Sequence, residues 1–423
     1  MDRRTFVKLA ALSSAAAFAG APKAMAQDAT GSTSTLTSDN ALEMAFNFAQ
    51  SCDTNGQGLV PANPVRLATA GGDHVGYVVD YNLDGAPNGY IVIDASCPNG
   101  IAEFSFEQGS ISPYAAALMS NESLASAQHL SEDEQYAVKI DGLLYGAADR
   151  SGGPVLLNDG TIADIPMALS SVTGNGWIDA TINTSDLYAN YAMTAFKFFP
   201  SFIGSSQNRI TYLTGRYACQ VSALCACAGL YGMFDIWDCA DEYIEMWDRT
   251  GTTVLEVKNG ITFGTTNIGK GAVGFCDFCS ARGKSISNRV NRSPTFAQYV
   301  LAVNAQQTSL FTAWPDPVGH SVAVEGYVSA TNNSTGAALS VIVVADGWGD
   351  SARYLNFNYP ALSNSTGTFF FCYVESRPHR ANPSHSVCRS RFDFGFPHCG
   401  YDKRQQQHDH HNESGELRKR ERC

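Results

Sequence analysis

Histidine is nearly absent from the middle of this chain. Of nine in 423 residues, six (His379, His385, His398, His408, His410 and His411) crowd the C-terminal end, and His74 and His129 lie in the first third. That leaves His320 alone between Gln135 and Arg377, so imidazole chemistry in the central region falls to it. Positive charge is scarce as well. The chain has 28 Lys and Arg against 40 Asp and Glu, a net −12, and residues 377–423 hold ten of the basic and six of the acidic residues, which leaves −16 on the first 376. A body that acidic repels phosphate backbones, which argues against nucleic acid as a partner. Past the extreme N-terminus, no apolar run is long enough to span a bilayer.

The N-terminus itself reads as an address. Arg3-Arg4-Thr5-Phe6-Val7-Lys8 leads into an apolar run from Leu9 to Ala21, too short to span, and Ala24-Met25-Ala26 supplies small residues around a cleavage point before Gln27. The paired arginines followed by Phe-Val-Lys resemble a twin-arginine signal, and an ordinary secretory signal with a basic start is the alternative. Residues 1–26 are therefore expected to be an export signal, giving a secreted or cell-surface bacterial protein.

From 27 to 145 the chain reads as a small α+β unit. A helical apolar pattern over Ala41 to Gln50 precedes three β-like runs, Val75 to Tyr81, Gly89 to Ala95 and Ile101 to Phe106, with a turn-forming stretch from Asn82 to Asn88. Residues 146–205, rich in Gly and Pro at their start, are expected to be an open linker where chains are easily nicked. Residues 206–376 read first helical and then strand-rich, as a second α+β domain. The tail, 377–423, lacks an apolar period and is expected to be disordered. Its His408-Asp409-His410-His411 stretch is either a transition-metal ligand set or a solvated extension.

Of twelve cysteines, Cys276 and Cys279 form a single C-x-x-C with no second pair at zinc-ribbon spacing, so a local disulfide or plain buried thiols are expected rather than a metal site. Cys225 and Cys227 read as core. Cys219 is different. Val221, Leu224, Cys225 and Ala228 repeat at helical spacing, which predicts an amphipathic helix with Cys219 in its first turn, where the helix dipole and free N–H groups stabilise a thiolate. His320 opens an alternating stretch that reads as a strand, and Asp346 ends the next, Leu339 to Ala345. A thiol, an imidazole and a carboxylate at the ends of separate elements suit nucleophilic catalysis, with Asp346 orienting His320. The bland alternatives are a buried thiol at Cys219, a turn cap at Asp346 and simple core at Trp348.

These residues resemble a known family. Cys219-Gln-Val-Ser-Ala is similar to the helix start of papain-like bacterial cysteine peptidases, the streptopain and bacteriocin-processing groups among them. Gly319-His320-Ser-Val-Ala-Val-Glu-Gly-Tyr looks like their histidine strand, and Asp346-Gly-Trp348-Gly349 like the Asp or Asn followed by Trp-Gly that supports the histidine. The resemblance covers about 205 to 375 and implies a papain-like two-lobed α+β catalytic domain preceded by a small α+β pro-region, needing no cofactor or metal. Two departures stand out. Leu213 occupies the place of the family's oxyanion glutamine, leaving Gln207 and Gln220 as nearby candidates, and the glycine after the nucleophile is missing. Gln220 directly follows Cys219, so its backbone N–H is expected to help at the oxyanion while its side chain points elsewhere, with Trp348 as support.

The expected function is an exported cysteine endopeptidase acting on protein or peptide substrates. The expected precursor keeps residues 27–145 as its own intramolecular inhibitor until a cut in 146–205. A permanent accessory module is the other reading of that unit. For the whole chain, the rivals are a catalytically weak papain-like surface binding module and a transglutaminase-type acyl transferase.

Overall fold

The computed structural model describes residues 32–52, 58–120, 135–149, 154–163, 180–199, 206–235, 239–314, 319–349 and 351–372. The expected export signal, the basic tail and parts of the expected linker lie outside these residues.

The architecture is α+β. Its first half contains β1 (Thr33–Thr35), α1 (Ser38–Cys52), β2 (Val60–Thr69), β3 (His74–Leu83), β4 (Ala86–Asp94), β5 (Ile101–Ser105), α2 (Pro113–Ser120), β6 (Gln135–Lys139), β7 (Tyr145–Asp149), β8 (Val155–Leu157) and β9 (Ile162–Ala163). Next come β10 (Thr181–Asn183), β11 (Tyr191–Phe198), α3 (Gln207–Thr214), β12 (Arg216–Tyr217), α4 (Cys219–Leu230), α5 (Ala240–Arg249), β13 (Thr253–Lys258) and β14 (Ile261–Thr265). The last elements are α6 (Ile268–Ala281), β15 (Ile286–Asn291), α7 (Phe296–Asn304), β16 (Ser309–Ala313), β17 (His320–Asn332), β18 (Ala338–Ala345), β19 (Arg353–Asn356) and β20 (Ser365–Cys372).

Local sequence accounts for much of this. In α1 the buried residues Ala41, Met44, Ala45, Phe48, Ala49 and Cys52 recur at helical spacing and form one apolar face. The turn expected over Asn82 to Asn88 is tighter than that stretch, because Asp84 and Gly85 both take positive φ (52° and 79°). This is the demand of a two-residue hairpin, which lets β3 and β4 extend to Leu83 and from Ala86.

Two expectations are corrected. The α4 helix is buried from Gln220 to Gly229 on every side rather than along one stripe, because its small Ala, Cys and Gly residues let it sit in a core shared with α5, α6 and β17. The open linker expected at 146–205 contains paired strands. There β7 pairs with β8, β8 pairs with β9, and β11 pairs with β17 through Phe196 opposite Val328. Strand β8 is buried throughout and β7 from Tyr145 to Ala148, which outweighs the glycines as a local signal, whereas β9 is only partly covered and β11 is buried only at Tyr191.

One sheet runs through both halves, in the order β15-β20-β16-β17-β18-β19-β5-β4-β3-β2-β6-β7-β8-β9, with β11 also on β17. The joint is β19 against β5, with Tyr354 opposite Phe104 and Leu355 opposite Glu103. A buried ion group sits on it. Arg353 donates to Glu103 through Nη2 (2.5 Å) and Nε (3.3 Å), and through Nη1 to Asp346 (3.1 Å) and the Leu143 carbonyl (3.0 Å). Asn356 Nδ2 also donates to the Ile101 carbonyl at 2.8 Å, and Tyr359 donates to Asp94 at 2.6 Å. Among the described residues, no helix is long and apolar enough to cross a membrane.

Removing one member of a buried ion group costs roughly 3–5 kcal/mol when the other charge is stranded. Arg353 would keep Asp346, so Glu103→Gln is expected to cost somewhat less, about 2–4 kcal/mol. A lowered urea or thermal midpoint checks this, and an unchanged midpoint contradicts it.

Candidate active site

Helix α4 begins at Cys219 itself, after Ala218 in extended conformation (φ −152°, ψ 108°) and with no side-chain cap. An uncapped first turn leaves its N–H groups for whatever stands at the helix end. Here that is the Cys219 sulfur, approached by the backbone N–H groups of Gln220 and, from the facing strand, Ser321. The entry into the helix is fixed by Ala218 N–H donating to the Tyr243 hydroxyl at 2.9 Å.

His320 is the first residue of β17, opposite Ala313 of β16. The glycine before it is required by space. A Cβ at Gly319 would lie 2.7 Å from the Trp314 ring and 2.9 Å from the Ala313 carbonyl, and the Gly319 carbonyl itself stands 3.8 Å from Cys219 Sγ. The strand thus delivers the ring to the thiol, and the two side chains share a hydrogen bond.

Burial acts on this pair in opposition to its partners. It pushes the Cys219 thiol up, but the hydrogen bond and charge of His320, with the two backbone N–H groups, outweigh it and leave the thiol below its ordinary value. Burial likewise pushes His320 down, whereas the Cys219 hydrogen bond and charge, followed by the carboxylates of Asp141 and Asp159, carry it above the ordinary imidazole value. Both shifts favour thiolate beside imidazolium. The two protons titrate as one coupled system.

Asp346 is near but differently engaged. Its Oδ1 accepts the N–H groups of Trp348 (2.8 Å) and Gly349 (3.2 Å), and its Oδ2 accepts Arg353 Nη1 at 3.1 Å. His320 Nδ1 makes no hydrogen bond among the described residues, so the expected contact between Asp346 and His320 is not made. The physical reason is Arg353, whose buried charge needs this second carboxylate. Orientation of the ring falls instead to Trp348, which meets it edge-on with centroids 5.0 Å apart and is itself fixed by donating Nε1–H to Tyr217 at 2.9 Å. Asp346 also caps the turn at Gly347, so of the two roles expected for it the structural one is occupied.

Gln220 places its backbone N–H at the sulfur while its side chain is buried against α6, where a Cβ on Gly271 would meet its Nε2 at 2.5 Å. Gln207 is buried, and its amide donates to Thr211 at 3.1 Å and accepts from Ser222. Leu213 is 47% exposed. Neither Gln207 nor Leu213 lines the cleft at Cys219. The thiols of Cys225, Cys227, Cys276 and Cys279 are free, and no cluster suited to a metal is found among the described residues.

That cleft has a volume of about 410 Å³. Cys219, Gln220 and His320 face it, together with residues that the sequence did not flag: Tyr217 beside the thiol, and Leu144, Asp159 and Ile162 from the first half. Tyr217 lies two residues from Cys219 and was within reach of sequence reasoning. Asp159 was not, since Asn158-Asp159-Gly160 reads only as a turn. Compared with the profiles of known protein families and with curated proteins, the chain matches none.

The directions of the two shifts predict a pH profile. Lowering the thiol means that thiolate persists below the ordinary range of about 8.5, and raising the imidazole means that its charge persists above about 6.5. Alkylation of Cys219 by iodoacetamide should therefore stay fast below the ordinary thiol range, and His320→Ala should move the acid limb up to that range. Identical profiles for the two proteins would contradict the pairing.

Proposed function

We propose that the chain is an exported, papain-like two-lobed cysteine endopeptidase. The observation that carries this reading is the hydrogen-bonded Cys219 and His320 pair, formed by an uncapped helix start and a strand start in a cleft large enough for a peptide. The thiolate attacks the peptide carbonyl carbon. The oxyanion is met by the backbone N–H of Gln220, already turned towards the sulfur, which fits the role of the missing side-chain glutamine. His320, as imidazolium, gives its proton to the departing amine as the C–N bond breaks. Water then attacks the thioester with His320 as base, releasing the acid and restoring the thiol.

A second reading, the weak or inactive binding module, is favoured by two observations: His320 Nδ1 lacks a hydrogen bond and Asp346 is held by Arg353. The two readings separate on turnover. Cys219→Ala is expected to abolish cleavage of a denatured protein substrate and to leave the thermal midpoint nearly unchanged, since a small, half-buried thiol contributes little packing. His320→Ala should fall to the same level and the double variant little further, because nucleophile and base act as a unit. Full cleavage by Cys219→Ala would sink the mechanism, and incorporation of an added amine in place of water would mark a transglutaminase.

Asp346→Asn should separate its two roles. It keeps the turn but weakens the hold on Arg353, so the expected loss is mainly of stability, about 1–3 kcal/mol for a weakened buried charge pair, with cleavage reduced far less than in His320→Ala. Cleavage lost as completely as in His320→Ala, at an unchanged thermal midpoint, would contradict that assignment.

A further inference from the structure

The cleft at Cys219 draws its lining from both halves of the chain. One wall comes from the first turn of α4 and from β12, β14 and β13, which form a separate three-stranded sheet, and another carries Leu144, Asp159, Thr161 and Ile162 around the β8–β9 hairpin. These residues line the cleft without sealing it. Cys219 stays half-buried with the first half in place. That half is also hard to remove. Its β5 pairs with β19, the Arg353 charge is shared between Glu103 and Asp346, and the main apolar clusters mix residues such as Phe48 and Phe104 with Val328 and Val341. Separation would strand a buried guanidinium and expose that core.

Asp159 is the buried carboxylate of the cleft lining, whereas Glu256 and Lys258 of β13, which also line it, are both exposed. Asp159 is 8% exposed, its Oδ1 accepts the N–H (2.9 Å) and hydroxyl (2.7 Å) of Thr161, and it forms no ion pair among the described residues. Around it, Leu144, Ile162, Phe263 and Trp314 give the cleft apolar sides. An apolar channel with a carboxylate on its wall fits a side chain with an aliphatic stem and a cationic head. The field of the whole chain acts in the same sense, since a net charge of −12 draws cationic peptides towards it.

Resting on the peptidase reading, we propose that residues 33–163 are a permanent wall of the substrate cleft and that Asp159 selects peptides presenting a lysine or arginine side chain to it. A nick in 146–205 would then leave two associated pieces rather than free a catalytic domain. This makes the first half a specificity element. Asp159 acts on substrate, whereas Asp346 and Arg353 act on the frame.

The test uses the full chain and a neutral fluorogenic peptide in which one Lys is moved stepwise across the scissile bond, with norleucine at the same positions as the uncharged control. Wild type should prefer Lys over norleucine at one position by at least about tenfold in kcat/KM, Asp159→Asn should bring that ratio close to one, and Asp159→Glu should largely retain it. Using the ratio cancels any effect of Asp159 through His320. Intact mass and gel filtration of the assayed protein should find residues 33–163 still present, whole or nicked. Cleavage with no preference for Lys, a preference untouched in Asp159→Asn, or an active protein that has lost residues 33–163 would each overturn this proposal and leave the peptidase reading standing. No cleavage of any peptide by wild type would overturn both.

Discussion

Arg353 is the residue on which the two halves of this protein depend. A guanidinium cannot lose its charge at any ordinary pH, so burying it obliges the fold to bring carboxylates to it. Two answer, Glu103 from β5 and Asp346 from the end of β18, with the Leu143 carbonyl completing the set. The β5–β19 joint therefore has a stronger reason to stay closed than the two facing residue pairs of its ladder. The same group explains why the carboxylate beside the catalytic candidate does not serve it directly. Asp346 is committed to the frame before His320 can make a claim on it.

The pairing of Cys219 with His320 then stands on other supports. A thiolate beside an imidazolium is neutral as a unit, so burial penalises the pair less than either charge alone. Helix α4 contributes its uncapped first turn and β17 contributes the Ser321 N–H, both aimed at the sulfur. On the imidazole side, the carboxylates of Asp141 and Asp159 lie close enough to favour its charge, and Trp348, locked by Tyr217, limits its rotation. The ring is thus held by shape on one side and by field on the other. A hydrogen-bonded orienting carboxylate is one way to position a histidine, and a packed tryptophan with nearby negative charge is a second.

What could be read from the sequence follows from how local each feature is. The start of α4 at Cys219 and the strand at His320 were legible because apolar periodicity and a glycine at the junction are written within a dozen residues. The helix in the first half and the strands β3, β4 and β5 were legible for the same reason. The Arg353 group was not, since Glu103 lies 250 residues away from it and no pattern links them. The strands β7, β8, β9 and β11 read locally as an open linker because Gly, Pro or Asn interrupts or flanks them. Their pairing to one another and to β17 is what makes them strands. The partner of Asp346 is Arg353 rather than His320, and that is not legible locally, because a carboxylate's neighbours are a tertiary fact.

A consequence concerns how such a cleft can change. The pair that would carry chemistry is set by the start of α4 and by β17, elements buried on nearly every side and intolerant of substitution. The opposite wall is a short hairpin at the end of the sheet, where β9 has two residues and pairs only with β8 among the described strands. Its inner strand β8 is core, with Val155, Leu156 and Leu157 buried, so freedom to vary belongs to β9 and the residue before it, where Thr161, Ile162 and Ala163 are only partly covered. Reactivity and selectivity are thereby placed on parts of the molecule with very different freedom to vary, and the Arg353 joint keeps them in register. The acidic character of the first half serves the same arrangement by biasing what approaches the cleft.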